Sequence, residues 1–222
     1  MQLFADRADA GRQLADALAE YAGDPSVIVL ALPRGGVPIG YEIARRLGAP
    51  LDVYVVRKLG VPGHEELAMG ALASDGTCVV DDELIASLGI EPAALEEVIR
   101  REFGELRRRE VAYRDARPES DITGKTVIVV DDGLATGATM RAAATALRQR
   151  RPAAIVAAVP VAAPRTVASL RGLVDRVVYV QTPEPFHAVG LYYQNFEQTG
   201  DDEVRVLLSK AAAELQGRRM SA

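Results

Sequence analysis

The sequence predicts an α/β fold built on a parallel sheet, and two observations carry that prediction. Short apolar runs rich in β-branched residues recur at 27–32 (VIVLAL), 51–56 (LDVYVV), 126–130 (TVIVV), 154–159 (AIVAAV) and 176–180 (RVVYV). Runs this continuous suit strands buried on both faces, as in a sheet covered by helices on each side. The segments between them carry helical period and helical punctuation, and strand–helix–strand alternation implies parallel pairing.

Taken in order, residues 6–22 read as an N-terminal helix ahead of the first strand. After that strand, Pro38 suits the first turn of a helix, Ile39, Ile43 and Leu47 form its apolar stripe, and Gly48 is its stop. The second strand is expected over 51–56. Residues 57–80 then break the alternation, with a Gly- and Pro-bearing loop (RKLGVPGHEEL) followed by two short strands around the hairpin signal Asp75-Gly76. Residues 87–117 read as a helix entered at Pro92, with Leu95, Val98, Ile99, Phe103 and Leu106 on one side. The strand at 126–130 leads into a helix from about 140 to 149, and a last helix spans 202–215 before a frayed GRRMSA tail. No internal repeat or interdomain linker is visible, so 1–222 is expected to be one domain with its core over about 24–182.

The chain has 222 residues with 31 Asp plus Glu against 26 Lys plus Arg, a formal net charge of -5. With 49% hydrophobic and 26% charged residues it is an ordinary globular sequence, not a collagen-like, disordered or disulfide-stapled one. Cys78 is the only cysteine, so no intramolecular disulfide forms; with no basic, apolar leader at the N-terminus, the expectation is a cytoplasmic protein without a membrane segment. The acidic balance argues against a general nucleic-acid coat. Arg100, Arg101, Arg107, Arg108, Arg109, Arg114 and Arg117 alternate with Glu96, Glu97, Glu102, Glu105 and Glu110, the pattern of a salt-bridged, solvated helix face.

The most informative stretch is 127–139, VIVVDDGLATGAT. A buried strand ends in Asp131 and Asp132, a Gly-rich turn with two threonines follows, and a helix begins. Ligands of open parallel sheets bind beyond the carboxyl ends of the strands, which is where this acidic pair must sit. The turn can aim backbone N–H groups at an anion, assisted by the helix N-terminus and by the hydroxyls of Thr136 and Thr139. Acidic side chains beside a phosphate cradle make sense if they accept hydrogen bonds from hydroxyls or assist a divalent cation. The combination asks for a sugar phosphate with free hydroxyls; helix capping by the aspartates is the alternative use of the same residues.

This run closely resembles the phosphoribosyl pyrophosphate (PRPP) motif of type I phosphoribosyltransferases. The resemblance implies that family's fold, a parallel-sheet core flanked by helices with a small hood and a hairpin loop that moves. It implies that Asp131 and Asp132 hold the ribose hydroxyls while Gly133, Ala135, Thr136, Gly137, Ala138 and Thr139 surround the 5'-phosphate. Leu32-Pro33-Arg34-Gly35-Gly36 looks like the pyrophosphate loop, with Arg34 as a charge-assisted contact and Gly35 and Gly36 admitting a close approach. Arg57 and Lys58 match the basic position that meets pyrophosphate; a solvated strand end is their alternative reading. Residues at about 60–80, with His64, Glu65 and Glu66, correspond to the loop that closes over PRPP. The hood falls at about 183–200, where Phe186, Tyr192, Tyr193 and Phe196 cluster. Those rings suit stacking on a flat acceptor, or equally the packing of a C-terminal subdomain or a homodimer contact.

The implied reaction is Mg2+-dependent transfer of 5-phosphoribosyl from PRPP to a nitrogen nucleophile with release of pyrophosphate, the cation being held mainly by substrate with Asp131 and Asp132 available to assist. Asp131, Asp132, Arg34 and Lys58 would carry catalysis. Ala135 stands where 6-oxopurine enzymes place a further aspartate, which argues against hypoxanthine or guanine as the acceptor. A PRPP- or nucleotide-sensing regulator with the same fold is the competing expectation.

Overall fold

The apolar runs become parallel strands because alternate residues of each find a helix layer on opposite sides. In this computed structural model, which describes residues 3–114 and 120–221 with the side chains of Glu66, Arg114, Arg219 and Ser221 left aside, the central strands are β1 (Val27–Ala31), β2 (Leu51–Val53), β6 (Thr126–Val130), β7 (Ala154–Val161) and β8 (Arg176–Gln181). They lie parallel in the order β2-β1-β6-β7-β8. Ile28, Leu30, Val127, Val129, Ile155 and Ala157 pack with Met140, Ala143, Ala144 and Leu147 of α5 (Ala138–Gln149). Their neighbours Val27, Val29, Ile128, Val130, Val156 and Ala158 pack on the other face with α1 (Arg7–Ala17) and α2 (Gly36–Leu47), through Leu14, Ile39, Ile43 and Leu47. The period of two in the strands thus meets the 3.6 period of the helices on both faces. A short helix α6 (Pro164–Leu170), with Pro at its start, joins β7 to β8.

The helix ends follow the expected signals. Asp6 caps α1 by accepting the Asp9 N–H at 2.7 Å, and Gly48 closes α2 in the left-handed conformation with φ 70°. The N-terminal helix is shorter than 6–22, because a 3-10 turn at Ala19–Tyr21 takes over after Leu18. The C-terminal helix α7 (Asp201–Ser221) runs through the tail expected to fray.

Two expectations are corrected. The run at 51–56 is two strands: β2 ends at Val53, and β3 (Val56–Val61) belongs to a second, antiparallel sheet of β3, β4 (His64–Ala73) and β5 (Cys78–Val80). The Tyr54 N–H still donates to Ala31 in the first sheet, whereas the Val55 carbonyl already accepts from Ser74 in the second. Both environments are apolar, so hydropathy cannot mark the crossing. The supposed loop through 57–67 is a hairpin turning at Pro62-Gly63, with a bulge around Gly60. Its glycines admit close strand contact: a Cβ on Gly60 would lie 2.6 Å from the Glu65 carbonyl oxygen, and one on Gly70 2.4 Å from that of Val79. The turn at Asp75-Gly76 is present, with Gly76 at φ 82°.

The helix expected over 87–117 is α4 (Pro92–Arg114), which enters at Pro92 as expected and follows a separate short helix α3 (Asp82–Ser87); the expected end at Arg117 lies outside the described residues. Val98 and Leu106 are buried and Leu95 and Ile99 partly so, but Phe103 is 40% exposed and carries Arg107 over its ring. The charged face forms ion pairs as expected, Arg108 with Glu105 and Arg107 with Glu110. Helix α4 covers the second sheet, with Leu106 and Tyr113 gathered with Leu59, Val61, Met69 and Leu72; Val204 and Leu208 of α7 join the same apolar cluster, α7 itself packing on α2, α4 and β2.

Candidate functional site

The carboxyl ends of β1 and β6 are neighbours in register, with Ala31 opposite Val130, so the loops that follow them meet. The Leu32 N–H donates to the Val130 carbonyl at 2.8 Å, and the chain then turns through a cis Pro33-Arg34 peptide into α2. The contact leaves no room for side chains. A Cβ on Gly36 would stand 2.4 Å from the Val130 carbonyl oxygen, and one on Gly35 2.0 Å from Asp132 Oδ2. Both glycines are needed for close approach; the backbone at Gly35 is ordinary right-handed helix, φ -60° and ψ -31°.

Asp131 is partly buried, and its Oδ1 accepts the Asp132 N–H at 2.9 Å. Desolvation, and then the neighbouring Asp132 carboxylate, push the Asp131 carboxyl well above the usual carboxylate range. Asp132 is held from outside its own loop. Arg7 of α1 donates from Nε (3.1 Å) and Nη2 (2.8 Å) to Oδ2, and the Tyr193 hydroxyl donates to the Asp132 carbonyl at 2.7 Å. Burial and the acidic neighbours raise the Tyr193 hydroxyl, which keeps it a proton donor.

The turn expected to cradle a phosphate closes on α5. Gly137 caps that helix with φ 71°, Thr136 and Thr139 are exposed, and the Thr136 Oγ1 accepts the Ala138 N–H at 3.4 Å. Thr166 of α6 braces the turn: its hydroxyl donates to the Ala135 carbonyl at 2.5 Å, and its Cγ2 stands 2.5 Å from where a Gly137 Cβ would be. The α5 N-terminus offers N–H groups that lack intrahelical partners, together with the positive end of the helix dipole. Arg141 donates to the Thr136 carbonyl at 2.8 Å, placing a guanidinium beside the turn.

The basic residues divide by strand alternation. Arg57 faces α4, where its Nε and Nη2 lie 2.8 and 2.6 Å from Glu102 Oε2. Lys58 faces the other way, into a cleft of about 790 Å³ shared with Ala138 and Arg141 of α5. The two therefore cannot meet one ligand from one side of β3. Arg34 lies with Nη1 3.6 Å from Asp201 Oδ1 at the start of α7, and Asp201 also accepts the Tyr113 hydroxyl at 3.0 Å. His64 and Glu65 are exposed at the tip of the β3–β4 hairpin, and the Glu66 side chain lies outside the described residues.

The aromatic cluster turns inward. Tyr192 and Tyr193 are buried, Tyr193 packs on Phe4 and Phe196 at 5.4 and 4.9 Å, and Phe186, half-buried, stacks on Tyr192 at 5.4 Å. Backbone bonds from Phe4 to Tyr192 and from Gln194 to Phe4 clamp the segment to the N-terminus. Arg7, Tyr113, Thr166 and Asp201 escaped sequence reasoning, as each lies far from the motif in the chain and carries no local pattern. Among the described residues there is no cluster of three or more His, Cys, Asp or Glu side chains able to hold a metal, and no helix long and apolar enough to cross a membrane.

Comparison with known proteins adds three findings. The model of a phosphoribosyl transferase domain matches residues 2–194. Proteins of Mycobacterium tuberculosis strains CDC 1551 and H37Rv, provisionally named phosphoribosyl transferases, are 48% identical over 211 residues; the match covers 95% of this chain, which spans only 47% of their length. The crystal structure of TT1426 from Thermus thermophilus superposes with a TM-score of 0.87 at 42% identity, covering 95% of this chain and 99% of that one.

Proposed function

This chain belongs to the phosphoribosyl transferase family, and on that premise we propose that it moves the 5-phosphoribosyl group of PRPP to a nitrogen nucleophile with release of pyrophosphate. The observation that carries this reading is the seating of Gly35 and Gly36 directly against Asp131 and Asp132, beside the Gly137-capped start of α5. A close-approach loop, an acidic pair able to accept hydroxyl hydrogen bonds and a helix start suited to a phosphate are thereby neighbours, which supports a ligand carrying the groups of PRPP.

In the proposed reaction the bond from the anomeric carbon to the pyrophosphate oxygen breaks, a carbon–nitrogen bond forms, and the acceptor nitrogen gives up a proton. The protein contributes position and charge rather than a covalent nucleophile. Asp131 and Asp132 engage the ribose hydroxyls, and Asp132, held by Arg7, favours the positive charge that develops on the ring. The α5 N-terminus with Thr136 and Thr139 anchors the 5'-phosphate. Arg34, once it trades Asp201 for the ligand, faces the departing pyrophosphate, Lys58 lends its charge to the cleft beside the start of α5, and Arg57 supports β3 through Glu102.

The donor set fits Mg2+ held mainly by substrate oxygens. Two adjacent carboxylates, one already engaged by Arg7, do not form a cage, and Asp131 and Asp132 are the side chains available to assist. When bound, the cation would neutralise charge on the leaving pyrophosphate. One observation favours the alternative of a PRPP or nucleotide sensor: Tyr192 and Tyr193 are spent on the hood's own packing instead of forming an open wall for an acceptor. Incubation with PRPP, Mg2+ and a panel of nitrogen bases decides between them. Stoichiometric pyrophosphate and phosphoribosylated base support the transferase; PRPP binding without turnover on any base supports the sensor.

A further inference from the structure

We propose that Arg7, on the N-terminal helix, is a positioning residue that commits one oxygen of Asp132 and so leaves the other as the acceptor for a ribose hydroxyl. The inference rests on the reading of the acidic pair as the ribose site. Arg7 directs two of its N–H groups to the same oxygen, Oδ2, at 3.1 and 2.8 Å, and a third, from Nη1, to the Glu197 carbonyl at 2.6 Å. Its guanidinium carbon lies 3.9 Å from the centroid of the Phe196 ring. A planar cation with donors along two edges and a face for stacking fits this slot; a lysine ammonium would not supply the same set of contacts.

Burial makes the contact a strong one. The Arg7 and Asp132 side chains are 11% and 19% exposed, so the pair is shielded from the screening that weakens surface ion pairs. Oδ2 is also hemmed in by Gly35, whose absent Cβ would fall 2.0 Å away. With Oδ2 enclosed by Arg7 and Gly35, Oδ1 is the oxygen left to a ligand. The Tyr193 hydroxyl fixes the Asp132 backbone from the hood side at 2.7 Å. Asp132 is therefore held at side chain and main chain by segments about 125 and 61 positions away in the chain. Arg7 also offsets the negative charge of Asp132 beside Asp131, a smaller effect than the burial that raises the Asp131 carboxyl.

The test is a double-mutant cycle on PRPP affinity, read by calorimetry with Mg2+ present, using wild type, Arg7→Met, Asp132→Asn and the double variant, with Arg7→Lys as the charge-preserving control and a thermal melt of each. If Arg7 acts through Asp132, Arg7→Met weakens PRPP binding about 10- to 100-fold, the range expected for a charged hydrogen bond. Arg7→Lys recovers part of that loss. Arg7→Met adds nothing in the Asp132→Asn background, and the steady-state loss falls on KM for PRPP rather than KM for the acceptor. Should Arg7→Met fail to fold, Arg7→Lys decides, with binding weaker than wild type at an unchanged melting temperature as the supporting result. Wild-type PRPP affinity in a folded Arg7 variant, or equal losses in both backgrounds, overturns the positioning role alone. No PRPP binding by wild type overturns the ribose-site reading and this role with it.

Discussion

Gly36→Ala is the sharpest single-atom probe of how the site is built. Gly36 is the first residue of α2, and alanine at an ordinary helical position gains about 0.4–1 kcal/mol over glycine by restricting the unfolded chain. Here the added methyl would stand 2.4 Å from the Val130 carbonyl oxygen and 3.2 Å from the Asp131 Cα. Ordinary contact begins at 3.4 Å, so something must yield by about 1 Å, and both sides are backbone. One side is a central strand that is paired on both edges. Overpacking of this kind costs about 1–3 kcal/mol, which outweighs the entropic gain at all but its lower end. For a protein of 222 residues each kcal/mol moves Tm by roughly 2–4 °C, so Gly36→Ala should melt several degrees below wild type in a calorimetric or circular dichroism scan. On the proposed reading its PRPP affinity should fall as well, because the loop at 32–36 is lifted from the acidic pair. Gly104→Ala is the control: that helical glycine has nothing within 4 Å of the position of its Cβ, and the change should raise Tm slightly. A Gly36→Ala protein that melts at or above wild type would refute the close backbone contact between the 32–36 loop and the end of β6.

Asp131→Asn should stabilise the protein more at high pH than at low. The folded state raises the Asp131 carboxyl above its unfolded value, so the native protein holds that proton more tightly, and the stability this confers is lost as pH rises through the raised value. The Asn variant lacks the titration, and the gap in Tm between it and wild type should therefore widen from pH 5 to pH 9; a constant gap contradicts the assignment. Arg57→Met should destabilise by about 1–3 kcal/mol, since it strips the main partner from Glu102, which is 8% exposed; the figure is discounted because the Arg57 side chain is itself 30% exposed. A paired Arg57→Met, Glu102→Met variant should recover most of the loss in a urea melt, and no recovery would contradict that account. Thr166→Val removes the hydroxyl that holds the Ala135 carbonyl while keeping the methyl packed against Gly137, and should weaken PRPP binding several-fold with little change in KM for the acceptor. Unchanged PRPP affinity would show that α6 does not brace the turn.

Where a segment's chemistry is local, the sequence made it readable. The run 126–130 is β6 residue for residue, because a strand buried on both faces must be apolar throughout. Asp131 and Asp132 stand together with Gly133 to Thr139 because the turn and the helix it opens are contiguous in the chain. A glycine misled where it served approach instead of flexibility: Gly60 sits inside β3, where the facing backbone leaves no room for a Cβ, yet glycine in sequence reads as loop. The split of 51–56 between two sheets was hidden because Tyr54 and Val55 are equally buried on either side of it. Arg57 and Lys58 looked like one basic patch, and the pleat sends them to opposite faces. Arg7 was invisible for the plainest reason: its partner lies 125 residues downstream, and one arginine in an amphipathic helix carries no pattern.

On the proposed function, the acidic pair and the two loops around it form a PRPP site. Calorimetric titration of PRPP, with and without Mg2+, into wild type and into the Asp131→Asn, Asp132→Asn double variant tests it most directly. Saturable, Mg2+-dependent binding at one site per chain is expected, and it should disappear in a double variant with an intact melting transition. Folded wild type that takes up no PRPP, or a double variant that binds it as tightly as wild type, would rule out a PRPP site at Asp131 and Asp132.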